Sequence, residues 1–169
     1  MGAGLYPPPQ GNGPRGIRYW SAVGSTAYVG DTETRIYLAS WTAEAGRLYR
    51  VTLNLAVVDS DGAGDQSTVD HGSKNSATIR CRWAYGTDAT TASTDLGGFY
   101  QSVYDDDSTF ASGAVHQWFL GGANAGDIAV AITLKATRAA ATYGQIRILT
   151  LGGNSTSLQV EDPGAYPVP

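Results

Sequence analysis

The chain has 169 residues, with eleven basic and fifteen acidic side chains for a net charge of −4, a length that suits one domain burying roughly 70% of its unfolded surface. Its cations are scattered rather than clustered, which argues against phosphate-led nucleic-acid binding, and its apolar runs are too short and broken for a membrane-spanning helix. The single cysteine, Cys81, excludes an internal disulfide, and a charged content of only 15% predicts a surface suited to cover by neighbouring subunits.

Residues 1–16, MGAGLYPPPQGNGPRG, hold five glycines and place Pro7, Pro8 and Pro9 directly after Tyr6. Such a stretch supports neither a helix nor a paired strand, so an extended, polyproline-like assembly arm is expected, a floppy terminus being the plainer alternative. Nothing in it resembles a secretory signal, and a soluble protein made in the cytoplasm of its producer is expected.

From residue 17 to 162 the apolar pattern repeats every second residue, the signature of half-buried strands, and a β-sandwich domain is expected there, followed by a short tail over 163–169. The candidate strands in chain order are Gly16 to Ser21, Thr34 to Trp41, residues 47–58, 76–85, Val115 to Leu120, 127–137, Gln145 to Leu151 and Ser157 to Glu161. In 47–58 the set Tyr49, Val51, Leu53, Leu55 and Val57 should face inward and Arg50, Thr52 and Asn54 outward. In 76–85 the inward set is Ala77, Ile79, Cys81, Trp83 and Tyr85, which buries the thiol. In 127–137 it is Ile128, Val130, Ile132, Leu134 and Ala136. Thr42 to Gly46 is too short to be more than a turn. The fold class predicted is therefore all-β, an antiparallel β-sandwich of about eight strands, with a jelly roll the first choice. No internal repeat and no βαβ unit is visible.

The most chemical-looking segment is Asp59-Ser60-Asp61-Gly62-Ala63-Gly64-Asp65. Asp59, Asp61 and Asp65 are hard oxygen ligands on a tight, glycine-containing loop and make a candidate calcium site, although a polar hairpin loop accounts for the same residues. Calcium is the one cofactor considered. Asp105-Asp106-Asp107 reads as a solvated turn. His71 and His116 lack metal-ligand spacing, and His116, two residues before Trp118, reads as a strand histidine packed on an aromatic. Gly11-Asn12-Gly13 and Gly62-Ala63-Gly64 lack the context of phosphate cradles. No nucleophile elbow or placed acid pair marks a hydrolase, so no catalytic residues are expected. Tyr19, Trp20, Trp41, Tyr100 and Tyr104 are candidate interface or ligand aromatics, since a ring with a polar edge serves protein interfaces and sugar stacking alike.

The segment Trp41-Thr42-Ala43-Glu44-Ala45-Gly46-Arg47-Leu48-Tyr49-Arg50-Val51-Thr52 and the chain end Ser157-Leu158-Gln159-Val160-Glu161-Asp162-Pro163-Gly164-Ala165 resemble blocks found in the β-sandwich domain of minor tail proteins from phages of actinobacteria. The resemblance implies a structural component of a phage virion, most readily a minor tail protein, with capsid decoration or host-glycan (receptor) binding as alternatives. It implies no catalytic residues. The expected partners are other virion proteins and further copies of the chain, a trimer being the first choice, and a host cell-surface glycan. The expected location is the virion, the tail before the capsid surface.

Overall fold

The structure is a computed structural model and describes residues 13–61, 73–105, 113–137, 145–150 and 156–166. Over these residues it is all-β and antiparallel, with ten strands: β1 (Gly16–Val23), β2 (Thr34–Ala43), β3 (Arg47–Leu55), β4 (Val57–Asp61), β5 (Ser73–Tyr85), β6 (Thr94–Asp105), β7 (Ala114–Gly121), β8 (Gly126–Thr137), β9 (Gln145–Leu149) and β10 (Thr156–Ala165). Two four-stranded sheets run β1-β10-β3-β7 and β2-β8-β5-β6, and β4 pairs with β9 in a separate ribbon. With the ribbon set aside, the strands renumbered one to eight run 1-8-3-6 and 2-7-4-5, the order of a jelly roll.

Alternation drives the packing. In β3 Tyr49, Val51 and Leu53 are fully buried, and across the sandwich Ile128, Val130, Ile132 and Leu134 of β8 and Ala77, Ile79 and Cys81 of β5 join them in one core. Burial pushes the Cys81 thiol far above its usual range. Tyr85 departs from the expected inward set. It sits at the end of β5, is 52% exposed, and its hydroxyl accepts the Asn124 N–H at 3.1 Å.

Three expectations change in detail. The run 47–58 is not one strand: it breaks at Ala56, so that β3 joins a sheet while β4 leaves for the ribbon, which packs against β5, β6 and β8. β6 lies in a stretch where Gly97 and Gly98 interrupt the apolar pattern, and it takes the eighth jelly-roll place that Gln145 to Leu151 would otherwise have held. The last strand continues to Ala165, past the expected boundary at 162, because Pro163 falls at a register shift where no ladder hydrogen bond is required of it.

Candidate functional site

The candidate residues separate. Tyr6, Pro7, Pro8, Pro9, Asp65, His71, Asp106 and Asp107 lie outside the described residues, and Asp61, Tyr104 and Asp105 are placed by backbone alone. Asp59 is in a strand rather than a loop. It is 4% exposed, opposes Arg147 in the β4–β9 ladder and accepts its Nε–H at 2.7 Å, while that guanidinium lies 4.3 Å from the Tyr28 ring centre. Its carboxylate is thus already matched to a cation, and among the described residues no three His, Cys, Asp or Glu side chains gather as metal ligands.

The aromatics divide by strand parity. Trp41 is not an outward residue: it alternates into the core, 7% exposed, with its ring 5.3 Å from that of Tyr49. Tyr19 also turns inward, its hydroxyl donating to the Leu38 carbonyl at 3.3 Å. Trp20 and Tyr100 face solvent, 58% and 71% exposed, on opposite sheets. His116 is buried and stacks on Phe99 at 4.6 Å, with Trp118 at 6.2 Å. Burial lowers its pKa, and its Nε2 has no hydrogen-bond partner among the described residues.

The outer face of the β1-β10-β3-β7 sheet is ordered in rows by the ladder register. One row runs Ala22, Ser157, Asn54, Val115; the next Trp20, Gln159, Thr52, Gln117; the next Ile17, Glu161, Arg50, Phe119. Polar groups fill the two central strands and reach Gln117 on β7, and six of them pair within the face. Asn54 Nδ2 donates to Ser157 Oγ at 3.0 Å, Gln117 Nε2 to Thr52 Oγ1 at 3.4 Å and Arg50 Nη2 to Glu161 Oε2 at 2.5 Å. The two edges carry exposed apolar side chains: Ile17 and Trp20 on β1, Val115 and Phe119 on β7. A charge-neutral stripe between two apolar borders covers the whole sheet.

At one end of this sheet the two sequence blocks meet, since β3 and β10 are neighbours. Gly46, with φ +70, makes the turn into β3, and the Glu44 N–H donates to the Tyr49 hydroxyl at 2.7 Å. Arg47 follows at once, and its guanidinium donates to Asp162 from Nε at 2.9 Å and from Nη2 at 2.7 Å. Both side chains are buried, 3% and 0% exposed. The Gly164 N–H also donates to Asp162 Oδ1 at 3.0 Å, and Arg47 Nη2 donates to the Gly13 carbonyl at 2.6 Å. The point where the chain leaves for the N-terminal residues is therefore tied to a buried ion pair.

The outer face of β2-β8-β5-β6 differs. The β5–β6 connection folds over part of it, where Ala89 covers Ala129 and Ala131 and Arg35 Nη1 holds Asp88 Oδ1 at 2.5 Å and the Ala89 carbonyl at 2.7 Å. Beside this cap Arg82 makes a two-pronged contact with Glu33 at 2.7 and 2.9 Å, and Thr133 donates to Glu33 at 2.6 Å. The bond from Arg82, helped by that from Thr133, holds the Glu33 carboxyl below its usual range against the opposing effect of burial. Arg80 pairs with Asp95. The remaining floor is a groove of about 460 Å³ lined by Glu33, Thr78, Arg80, Arg82, Tyr100, Lys135 and Thr137. Alternation in the sequence marks Arg80, Arg82 and Lys135 only as outward residues; the strand order is what gathers them.

The class defined by these observations is a jelly-roll sandwich whose distinctive features are its two sheet faces. The sequence profile of DUF7298, a domain of unknown function, matches residues 1–168, and the chain belongs to that family. No curated protein matches the sequence.

Proposed function

We propose that this domain is a self-assembling structural protein that packs against further copies of itself through the outer face of the β1-β10-β3-β7 sheet. One observation carries the reading: a sheet face whose only ion pair among the described residues, Arg50–Glu161, is internally matched, bordered on both edges by exposed apolar residues. A face without net charge offers nothing to a strongly charged partner, whereas the β1 border of one copy and the β7 border of the next are both apolar. Contacts between two different borders are heterologous and close as a ring where the rotation between copies allows it, and three copies is the ring proposed. Covering an aromatic side chain is worth about 1.5 to 3 kcal/mol, and each copy brings two such groups, Trp20 and Phe119.

In keeping with the resemblance of residues 41–52 and 157–165, the assembly is proposed to be a component of an actinobacteriophage virion, in the tail as a minor tail protein, with the N-terminal arm engaging a neighbour. The test is the mass of the purified full chain by light scattering. A trimer is expected, with the double variant Trp20→Glu, Phe119→Glu monomeric and unchanged in circular dichroism. A wild-type monomer at high micromolar concentration refutes self-assembly. Mass spectrometry and labelling of purified particles test the location: the tail supports the reading, the capsid surface replaces it with decoration, and absence from particles removes the virion role.

A further inference from the structure

We propose that the groove on the outer face of the β2-β8-β5-β6 sheet is a binding site for a saccharide bearing an acidic group, a carboxylate or a phosphate. The site lies on the opposite sheet from the assembly face and does not depend on it.

Two adjacent rows of the ladder build it. Tyr100, Thr78 and Lys135 stand opposite one another on β6, β5 and β8, and Thr137 of the next row, beyond Ser102 and Ser76, joins them in lining the groove. The first row sets an aromatic ring, 71% exposed, at one side of the groove and an ammonium at the other. Two strand spacings separate them, about 10 Å. The second row adds the Thr137 hydroxyl, and Thr78 Oγ1 and Thr137 Oγ1 lie 3.4 Å apart on the floor. Hydroxyls both donate and accept, which suits the mixed donors and acceptors of a sugar. The volume, about 460 Å³, falls in the range of small-ligand sites.

The charges favour an acidic ligand. Arg82 is neutralised by Glu33 and Arg80 by Asp95, whereas Lys135 has no ion pair or hydrogen bond to any described residue. One lining cation without a counter-charge among the described residues, in a chain of net charge −4, is too little for a nucleic-acid backbone but is matched by a single carboxylate or phosphate. The backbone is shaped for the same opening. A Cβ at Gly98 would stand 2.7 Å from Arg80 Cγ and 2.9 Å from the Ile79 carbonyl. Glycine there leaves room for the Arg80 stem beside β6, where its guanidinium pairs with Asp95.

The experiment is a titration of the full chain, followed by amide resonances, with a uronic-acid trisaccharide, a short glycerol-phosphate oligomer, a neutral glucose trisaccharide and an acidic peptide. Shifts confined to β5, β6 and β8 with the uronate identify carboxylate recognition, and with the glycerol phosphate, phosphate recognition. Tyr100→Ala and Lys135→Gln are each expected to weaken that binding about tenfold or more, with unchanged melting temperatures because both positions are on the surface. Trp20→Glu, Phe119→Glu, on the other sheet, should bind as wild type even where assembly is lost. No shifts with either acidic saccharide at millimolar concentration, affinity unchanged in both groove variants, or equal binding of the neutral sugar or the acidic peptide overturns the assignment.

Discussion

Replacing Arg47 with methionine keeps most of the side-chain volume but removes the cation from Asp162, which is completely buried. The loss is large because the geometry is two-pronged, with 2.9 and 2.7 Å contacts, and because solvent cannot reach the carboxylate left behind. Breaking a buried pair from one side costs about 3 to 5 kcal/mol, a third or more of the stability of many domains. At about 2 to 4 °C per kcal/mol for a chain of this size, the melting temperature should fall on the order of 10 °C. Denaturant unfolding of wild type, Arg47→Met, Asp162→Leu and the double variant completes a cycle. The double variant should be more stable than Arg47→Met alone, since no unpaired charge remains buried in it. A loss below about 1 kcal/mol for Arg47→Met, the range of an exposed pair, would refute the reasoning. Because Arg47 also holds the Gly13 carbonyl, the variant should open the chain near residue 13 to protease before the domain unfolds.

Acidification should lower stability in two stages. The pKa of His116 is depressed by burial, so its contribution is complete above about pH 6.5 and is lost as pH falls toward its folded value; His116→Leu should flatten that limb of a pH series of denaturant melts. Glu33, depressed chiefly by its bond from Arg82, gives a second loss below about pH 4.5 that Glu33→Gln should remove. Cys81, fully buried with its thiol pushed upward, should react with a thiol reagent at neutral pH only when denaturant unfolds the domain. Rapid labelling of the native protein would show that β5 opens locally.

Period-two alternation was sufficient to locate most strands and their inward residues, because each sandwich strand buries one side and wets the other. Tyr49, Val51 and Leu53 or Ile128, Val130 and Ile132 announce their orientation without any partner being known. β6 escaped the same test: Leu96-Gly97-Gly98-Phe99 puts two residues without side chains where alternation would be read. Ala129 and Ala131 depart from alternation in the other direction, since they face away from the core yet are buried under Ala89. Trp41 and Trp20 show the limit for site residues. Both are aromatics in strands, but only the register separates the one packed on Tyr49 from the one facing solvent. Asp59 looked like loop chemistry because its ion-pair partner, Arg147, is 88 residues away in sequence.

The two proposals make opposite demands on the two sheets, and the sandwich keeps them apart. Assembly requires a face whose polar groups are mutually satisfied, since any charge buried between copies without a partner would cost more than the apolar borders return. The Arg50–Glu161, Asn54–Ser157 and Gln117–Thr52 pairs meet most of that requirement within one copy, before a neighbour arrives, and only the buried Arg50 Nε of these pairs is left without a partner among the described residues. Ligand capture requires the reverse, a polar group held short of partners until the ligand supplies one, and Lys135 provides it on the other sheet. A ring closed through β1-β10-β3-β7 turns β2-β8-β5-β6 outward in every copy. Each added subunit then presents another groove without covering one, and weak saccharide sites gain avidity from the number of copies rather than from new contacts. On a multivalent acidic polysaccharide the assembled wild type should therefore bind far more tightly than Trp20→Glu, Phe119→Glu, although the two bind a single short saccharide alike.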